Sequence, residues 1–264
     1  MQNDAHDRWY KEEFVKRYGT VSRARGCYLY TQKGVRITDL YLDGGRAILG
    51  RSCSASRAFK VFKNTIDRGQ TGLFPNMYET RFEKAALSLL KGFAHARWFA
   101  SEESLSRAVL ESPWAAAALW RPWSGRDDEL IEADAVAVCI PFALCGSGYA
   151  VLFKDKNGAL PPSSDECSPA LLNAAARALY DLARELPLRG EEDFALFDSV
   201  LARYFTRRGA YLVPKVGENR YREFFLHCLD CALLLPPVYT IPAIVPVGAS
   251  LGDFSQLKRA VFEY

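Results

Sequence analysis

The residues with the most evident chemical potential are His227, Cys228 and Cys231, which stand together in the segment HCLDC. Thiolates and imidazoles bind zinc, and a Cys-x-x-Cys pair can cycle between dithiol and disulfide. A zinc site needs three or four ligands, and the sequence offers no second pair of ligands to complete one. A redox pair usually opens a helix after a strand, whereas this pair falls near a predicted helix end. We therefore expect the two thiols to pack in the core.

A second candidate is the segment RWFASEESLSRAV, in which Ser101 precedes Glu102 and Glu103. A helix that opens after a strand can bind an anion, because its free N–H groups and the positive end of its dipole point at the ligand. Two carboxylates in the first turn suit the same dipole, but they would repel a phosphate group. These residues favour an acidic helix cap over a phosphate site.

Composition excludes several classes of protein. The 264 residues carry 34 Lys and Arg against 31 Asp and Glu, which gives a net charge of +3 and predicts no nucleic-acid footprint. A polar N-terminus without a signal peptide, together with seven cysteines, predicts reduced thiols and a cytoplasmic location. The uncharged window 231–252 contains four prolines, so it favours a buried strand and loop over a membrane span.

Hydrophobic periodicity and turn residues predict an alternation of helices and strands. Helices are predicted at 4–17, 54–67, 76–91, 102–119 (interrupted at Pro113), 168–186, 194–205 and 221–232, with a final helix capped by Asp253. Strands are predicted at 27–30, 36–41, 97–99, 133–141, 148–153, 210–213 and 232–235.

The segment 26–51 reads GCYLYTQKGVRITDLYLDGGRAILGR and leads into two predicted helices. It resembles the start of the class III pyridoxal-phosphate-dependent aminotransferases of fold type I, with glutamate-semialdehyde aminotransferases nearest. The later segments SPALLNAAARALYDL, FFLHCLDCALLLPP and GDFSQLKRAVFEY resemble helices and a substrate loop of the same family. The resemblance implies an α/β fold with an aminotransferase-like N-terminal segment at 1–96, a much reduced large-domain remnant at 97–164 and a C-terminal small domain at 165–264.

The resemblance also implies which residues would hold pyridoxal phosphate. Ser101 stands where the family's phosphate turn begins, Asp134 would hold the pyridine nitrogen, and Lys154 would form the Schiff base. Only 53 positions separate Ser101 from Lys154, which is too few for several βαβ units of about 30 residues each.

The family's pattern is broken beside each of these three residues. Glu102 stands in place of a glycine in the phosphate turn, and Ala135 in place of a glutamate after the aspartate. The family has glycines after its lysine, whereas this chain continues as KDKNG, a sequence typical of an exposed turn.

We therefore expect an aminotransferase-like protein that has lost transamination, holds no cofactor and serves a binding or assembly role. Two alternatives stay open: a minimal pyridoxal-phosphate-dependent aminotransferase or aminomutase that uses Lys154, and a regulatory or completing subunit of a full-length aminotransferase. We expect no membrane and no nucleic-acid partner.

Family members are dimers, and the matching segment 4–50 is rich in aromatic residues of the kind enriched at interfaces. These residues are Trp9, Tyr10, Phe14, Tyr28, Tyr30 and Tyr41. The resemblance implies a homodimer or a complex with a related aminotransferase chain. The alternative is that the aromatic side chains fold back on their own domain.

Overall fold

The computed structural model describes residues 2–114, 116–125 and 132–264. The chain forms two compact units: unit 1 combines Met1–Ser52 with Arg189–Tyr264, and unit 2 is Cys53–Leu188. Both units combine helices with β-sheet, so the predicted α/β class is confirmed. The segments 1–96, 97–164 and 165–264 follow sequence resemblance rather than contacts, and they stay a prediction.

The helices and strands are numbered here in chain order. The helices are α1 (Gln2–Tyr18), α2 (Ala58–Ile66), α3 (Tyr78–Leu87), α4 (Glu102–Leu110), α5 (Pro169–Glu185), α6 (Glu191–Ala195), α7 (Asp198–Leu201), α8 (Glu218–Asp230) and α9 (Ser255–Arg259). The strands are β1 (Val21–Arg25), β2 (Tyr28–Thr31), β3 (Arg36–Asp39), β4 (His95–Phe99), β5 (Ala118–Trp120), β6 (Ala135–Cys139), β7 (Tyr149–Phe153), β8 (Phe205–Arg208), β9 (Tyr211–Pro214), β10 (Leu233–Leu234) and β11 (Ala243–Ile244).

Unit 1 contains two small sheets. One has the order β1-β2-β3-β10, in which only β10 pairs in parallel; the other is antiparallel, with the order β11-β9-β8. The turn between β2 and β3 contains Gly34 at φ +76°, a backbone conformation that glycine adopts without strain. Ile37, Leu40, Phe224 and Phe225 are fully buried, so the apolar faces of β3 and α8 supply much of this core.

Unit 2 is built on one sheet with the order β4-β7-β6-β5. The residues of β6 and β7, AVAVC and YAVLF, are nearly all buried, as expected for strands covered on both faces. One face packs α4 through an apolar cluster, and α2 and α3 pack against α5. The helix predicted at 168–186 is confirmed as α5: the Ser168 hydroxyl caps it and Pro169 takes the first helical position, and both residue types are favoured there.

The prediction of one interrupted helix over 102–119 was wrong beyond its first half. The helix ends at Leu110, and Ala118–Trp120 is strand β5, paired in parallel with β6. Alanine favours helix by a few tenths of a kcal/mol per residue, so hydrogen bonding to a buried strand overrides it easily over three residues.

Two further predictions were wrong in unit 1. The helix predicted at 194–205 is two short helices, and Phe205 begins strand β8. Asp253 does not open the last helix; it is the third residue of a capping box whose cap is Ser250. At 194–205 the pairing of β8 with β9 overrides the helical spacing, whereas at Asp253 the local cap lies three residues earlier, at Ser250.

No helix within the described ranges is long and apolar enough to cross a membrane. The uncharged window at 231–252 instead holds strands β10 and β11 and the turns between them. Cys228 and Cys231 are both buried free thiols at the end of α8, so the predicted core packing of this pair is confirmed.

Candidate functional site

The sheet of unit 2 has two edges at which loops meet. β4 and β6 each run antiparallel to β7, and β5 runs parallel to β6, so β4, β5 and β6 all point the same way. Open α/β sheets bind ligands outside the carboxyl ends of their parallel strands. We call that side, formed by residues 100–103, 121–125 and 140–148, the carboxyl edge, and the opposite side the amino edge.

Ser101 lies at the carboxyl edge, in the turn between β4 and α4. Its hydroxyl accepts a hydrogen bond from the Ser104 backbone N–H at 3.1 Å, and the Ser104 hydroxyl accepts one from the Ser101 N–H at 3.2 Å. This reciprocal pair is a capping box, with Glu102 and Glu103 in the first turn. The predicted acidic helix cap is confirmed.

Asp134 and Lys154 lie at the amino edge. Asp134 directly precedes β6, Lys154 directly follows β7, and the Lys154 N–H donates to the Asp134 carbonyl oxygen at 2.9 Å. The carboxylate of Asp134 pairs with the Lys156 Nζ at 2.7 Å. Its hydrogen bond to Lys156 lowers the pKa of Asp134, so this exposed carboxylate stays ionised and is engaged in the turn.

The structure therefore brings Asp134 and Lys154 together but separates both from Ser101. The strand register joins Phe99 to Tyr149 at one end of the sheet, and Ala135 to Phe153 at the other. Five residues of strand span about 16 Å. Sequence spacing alone could not reveal this separation, because it depends on the direction of each strand.

The rest of the carboxyl edge is filled by aromatic and tightly packed residues. Phe142, which follows β6, is fully buried, with its ring 4.9 Å from that of Phe59 and 5.8 Å from that of Phe62. Gly148 has φ +76°, and a Cβ there would lie 2.4 Å from the carbonyl oxygen of Phe99. Backbone thus closes the space between β4 and β7.

One buried side-chain polar atom at this edge has no hydrogen-bond partner among the described residues, the hydroxyl of Ser147. Ser147 is fully buried, and its own carbonyl oxygen accepts the indole N–H of Trp98 at 3.0 Å. A ligand could reach the hydroxyl only if the packing around Trp98 opened.

The residues of the carboxyl edge do not fit pyridoxal phosphate. Residues 100–103, 121–125 and 140–148, all within the described ranges, contain no lysine to form a Schiff base. Glu102 and Glu103 stand in the helix turn where the family holds the cofactor's phosphate dianion, and like charges at such a site repel. Phe142 and Gly148 leave this edge filled by protein atoms.

Unit 2 also contains an open groove of about 850 Å³. One wall is α3 with the residues just before it, the floor is 96–98 in β4, and the facing wall is 163–167. We call it the β4 groove. Its carboxylates are Glu79, Glu83, Asp165 and Glu166. The groove has no signature in the sequence, because its walls come from segments that are far apart in the chain and carry no shared motif.

This chain is similar in sequence to proteins of two organisms, and similar in structure to proteins of known fold. An uncharacterized protein of Treponema pallidum (strain Nichols) is 30% identical, and the match covers 94% of this chain and 94% of that protein. This chain belongs to the same family as the Treponema pallidum protein. An uncharacterized protein of Borreliella burgdorferi is 25% identical over 92% of this chain and 90% of its own length. No family model matches the chain.

Solved structures with a similar fold include aminotransferases. The Plasmodium falciparum ornithine delta-aminotransferase has a TM-score of 0.68 at 9% identity, covering 96% of each chain. The acetylornithine aminotransferase of Elizabethkingia anophelis has a TM-score of 0.64 at 14% identity, covering 95% of this chain and 97% of that one. The aminotransferase-like fold expected from the sequence is confirmed, and identities this low carry no statement about activity.

In unit 1, the loop after β3 is held by a buried carboxylate. Asp39 is 1% exposed; its Oδ1 accepts the N–H groups of Tyr41 and Leu42 at 2.9 Å each, and its Oδ2 accepts from Arg51 Nη1 at 2.7 Å. Four successive residues, Leu42–Gly45, have positive φ values of 44°, 52°, 63° and 105°. A positive φ is strained for a leucine such as Leu42. The hydrogen bonds to Asp39 help to hold this conformation.

Several of the N-terminal aromatic side chains contact their own unit. The ring of Trp9 lies 4.9 Å from that of Phe225, and the ring of Tyr10 lies 6.3 Å from it. Phe14 is 7% exposed. The Tyr28 hydroxyl donates to Asp253 at 2.8 Å. These contacts favour the alternative in which this part of the segment folds back on its own domain.

Proposed function

We propose that this aminotransferase-like protein does not carry out transamination and serves a binding or assembly role. The observation that carries the proposal is the division of the predicted site residues between two edges of one sheet. Lys154 follows β7 at the amino edge, and Ser101 follows β4 at the carboxyl edge, about 16 Å of strand apart.

The backbone of Lys154 is held in a turn. Its carbonyl oxygen accepts the indole N–H of Trp114 at 3.1 Å, and its N–H bonds to Asp134. A lysine that forms a Schiff base with a cofactor needs the site that holds this cofactor within reach. The helix turn at Ser101 lies at the opposite edge of the sheet from Lys154, which supports a protein that forms no Schiff base through this lysine.

An absorbance spectrum of the purified protein mixed with pyridoxal phosphate tests this proposal. An internal aldimine absorbs near-visible light. Because we expect none to form through Lys154, the native protein and Lys154→Ala should have the same spectrum. A yellow protein whose colour is lost in Lys154→Ala, but kept in Lys156→Ala, would contradict the proposal. It would favour the minimal pyridoxal-phosphate-dependent enzyme that uses Lys154. Lys156 is the matched control because it stands in the same exposed turn.

An assembly role would take the form of a homodimer or a complex with a related aminotransferase chain. Support comes from the resemblance over 4–50 and from the exposed edge strand β1, which carries Arg23 and Arg25. Light scattering at micromolar concentration tests it together with pull-down from the native cell. A strictly monomeric mass with no recovered partner would contradict it.

A further inference from the structure

The β4 groove has an arrangement of charge and apolar surface that is independent of the carboxyl edge. Both of its walls carry carboxylates: Glu79 and Glu83 lie one turn apart on α3, and Asp165 and Glu166 lie on the facing segment. The one cation among its lining residues within the described ranges is Arg97, whose Nη1 is bound to Glu83 Oε1 at 2.9 Å. The lining is therefore strongly acidic, although the whole chain has a net charge of +3.

Two of these carboxylates are available to a ligand. Glu79 and Glu166 are exposed and form no hydrogen bond or ion pair with any described residue. The other two are engaged, since Glu83 pairs with Arg97, and Asp165 Oδ2 accepts the Ala100 N–H at 2.9 Å. An incoming cation would thus meet one carboxylate on each wall without breaking an existing bond.

The floor of the groove cannot recognise a ligand by adding a strand to β4. The Ala96 N–H donates to Glu83 Oε1, and the Trp98 N–H donates to Ser164 Oγ, both at 3.2 Å. The Trp98 carbonyl oxygen accepts the Asp165 N–H at 3.1 Å. Because the outward backbone groups are already satisfied, recognition must come from side chains.

Apolar side chains complete the groove. Leu73 and Phe74 stand at the start of the α3 wall, 65% and 42% exposed, while Phe82 and Trp98 are buried beneath. Exposed aromatic and aliphatic surface beside unpaired charge is typical of a recognition surface.

We propose that the β4 groove binds a segment of a partner protein in which Lys or Arg residues alternate with apolar residues. A segment lying along the groove would place apolar side chains on Phe74, and its long, flexible Lys or Arg side chains would reach Glu79 and Glu166 on the two walls. The proposal rests on the binding role proposed above and names its site and the chemistry of its partner.

Fluorescence anisotropy of a labelled octapeptide of alternating Lys and Leu tests this with the full chain. We expect saturable binding that weakens with added salt and no binding of the alternating Glu–Leu peptide. The double variant Glu79→Lys with Glu166→Lys should weaken binding at least about tenfold, or about 1.4 kcal/mol. Phe74→Ala should weaken it about threefold through lost apolar contact.

Glu111→Lys is the matched control, because Glu111 is an exposed residue of the same unit that lies outside the groove. It should leave binding unchanged. Circular dichroism confirms that each variant is folded, and all four substituted side chains are exposed. The proposal is overturned by no saturable binding, by equal weakening in Glu111→Lys, or by binding of spermine but not of the peptide. None of these results alters the absorbance test for a Schiff base.

Discussion

The carboxylate of Asp39 gives the sharpest prediction about stability. Asp39→Ala removes three acceptor contacts at once: the two loop N–H groups at 2.9 Å and Arg51 at 2.7 Å. The side chain of Arg51 is 17% exposed, so water cannot fully replace the lost partner. Breaking a buried ion pair by removing one member costs about 3–5 kcal/mol.

A variant of Arg51 can separate the contribution of the ion pair from that of the backbone hydrogen bonds. Arg51→Ala alone should also destabilise, because it leaves the Asp39 carboxylate buried with only backbone donors. In the double variant no unpaired charge remains. Its free energy of unfolding should therefore fall by about 1–3 kcal/mol less than the sum of the decreases in the two single variants. The matched control is Asp230→Ala, since the Asp230 side chain is 60% exposed in its ion pair with Arg17 and such pairs contribute about 0–1 kcal/mol.

Hydrogen exchange measured by mass spectrometry is the appropriate assay, because the two units need not unfold together. We expect peptides of unit 1 to lose protection in Asp39→Ala while peptides of unit 2 keep theirs. If Asp39→Ala lost no more protection from exchange than Asp230→Ala, the Asp39 carboxylate would not be what holds the loop.

Three further predictions follow from single side chains. Phe225 is fully buried beside Trp9, so Phe225→Ala should cost about 3–5 kcal/mol in urea unfolding, and a loss under about 1 kcal/mol would contradict its packing. The hydrogen bond from Lys156 lowers the pKa of Asp134, so its stabilisation is present above the unfolded pKa and lost as pH falls through the folded one; Lys156→Met should raise this pKa in an NMR titration, and an unchanged value would contradict the pairing. Burial raises the pKa of the Cys228 thiol, so iodoacetamide should label the exposed Cys145 first, and equal rates by mass spectrometry would show that Cys228 is accessible.

Sequence signals were sufficient where the decisive interaction is local. The Ser168–Pro169 start of α5, the Gly34 turn and the strand-to-helix step at Ser101 all depend on neighbours within four residues. Strand β1 was missed because VSRAR is polar and almost wholly exposed, so only its pairing with β2 makes it a strand. Strand β5 was missed because the alanines before it, together with Ala118, favour helix in isolation.

The candidate site was harder to predict than the fold. Lys154 and Asp134 are adjacent in space, but sequence spacing could not assign them to the amino edge, since that depends on three strand directions. The β4 groove was missed because its carboxylates are contributed by α3 and by the segment 163–167, about eighty positions apart in the chain, and helical or strand periodicity has no range of that length.

Peptide mapping after borohydride reduction tests the central claim most directly. Protein mixed with pyridoxal phosphate is reduced, digested and analysed by mass spectrometry, which locates any lysine that had formed a Schiff base. We predict only low, scattered modification of exposed lysines, with Lys154 no more modified than Lys156. Stoichiometric modification of one lysine, lost when that residue is replaced by alanine, would contradict the claim that this aminotransferase-like chain has no Schiff-base site.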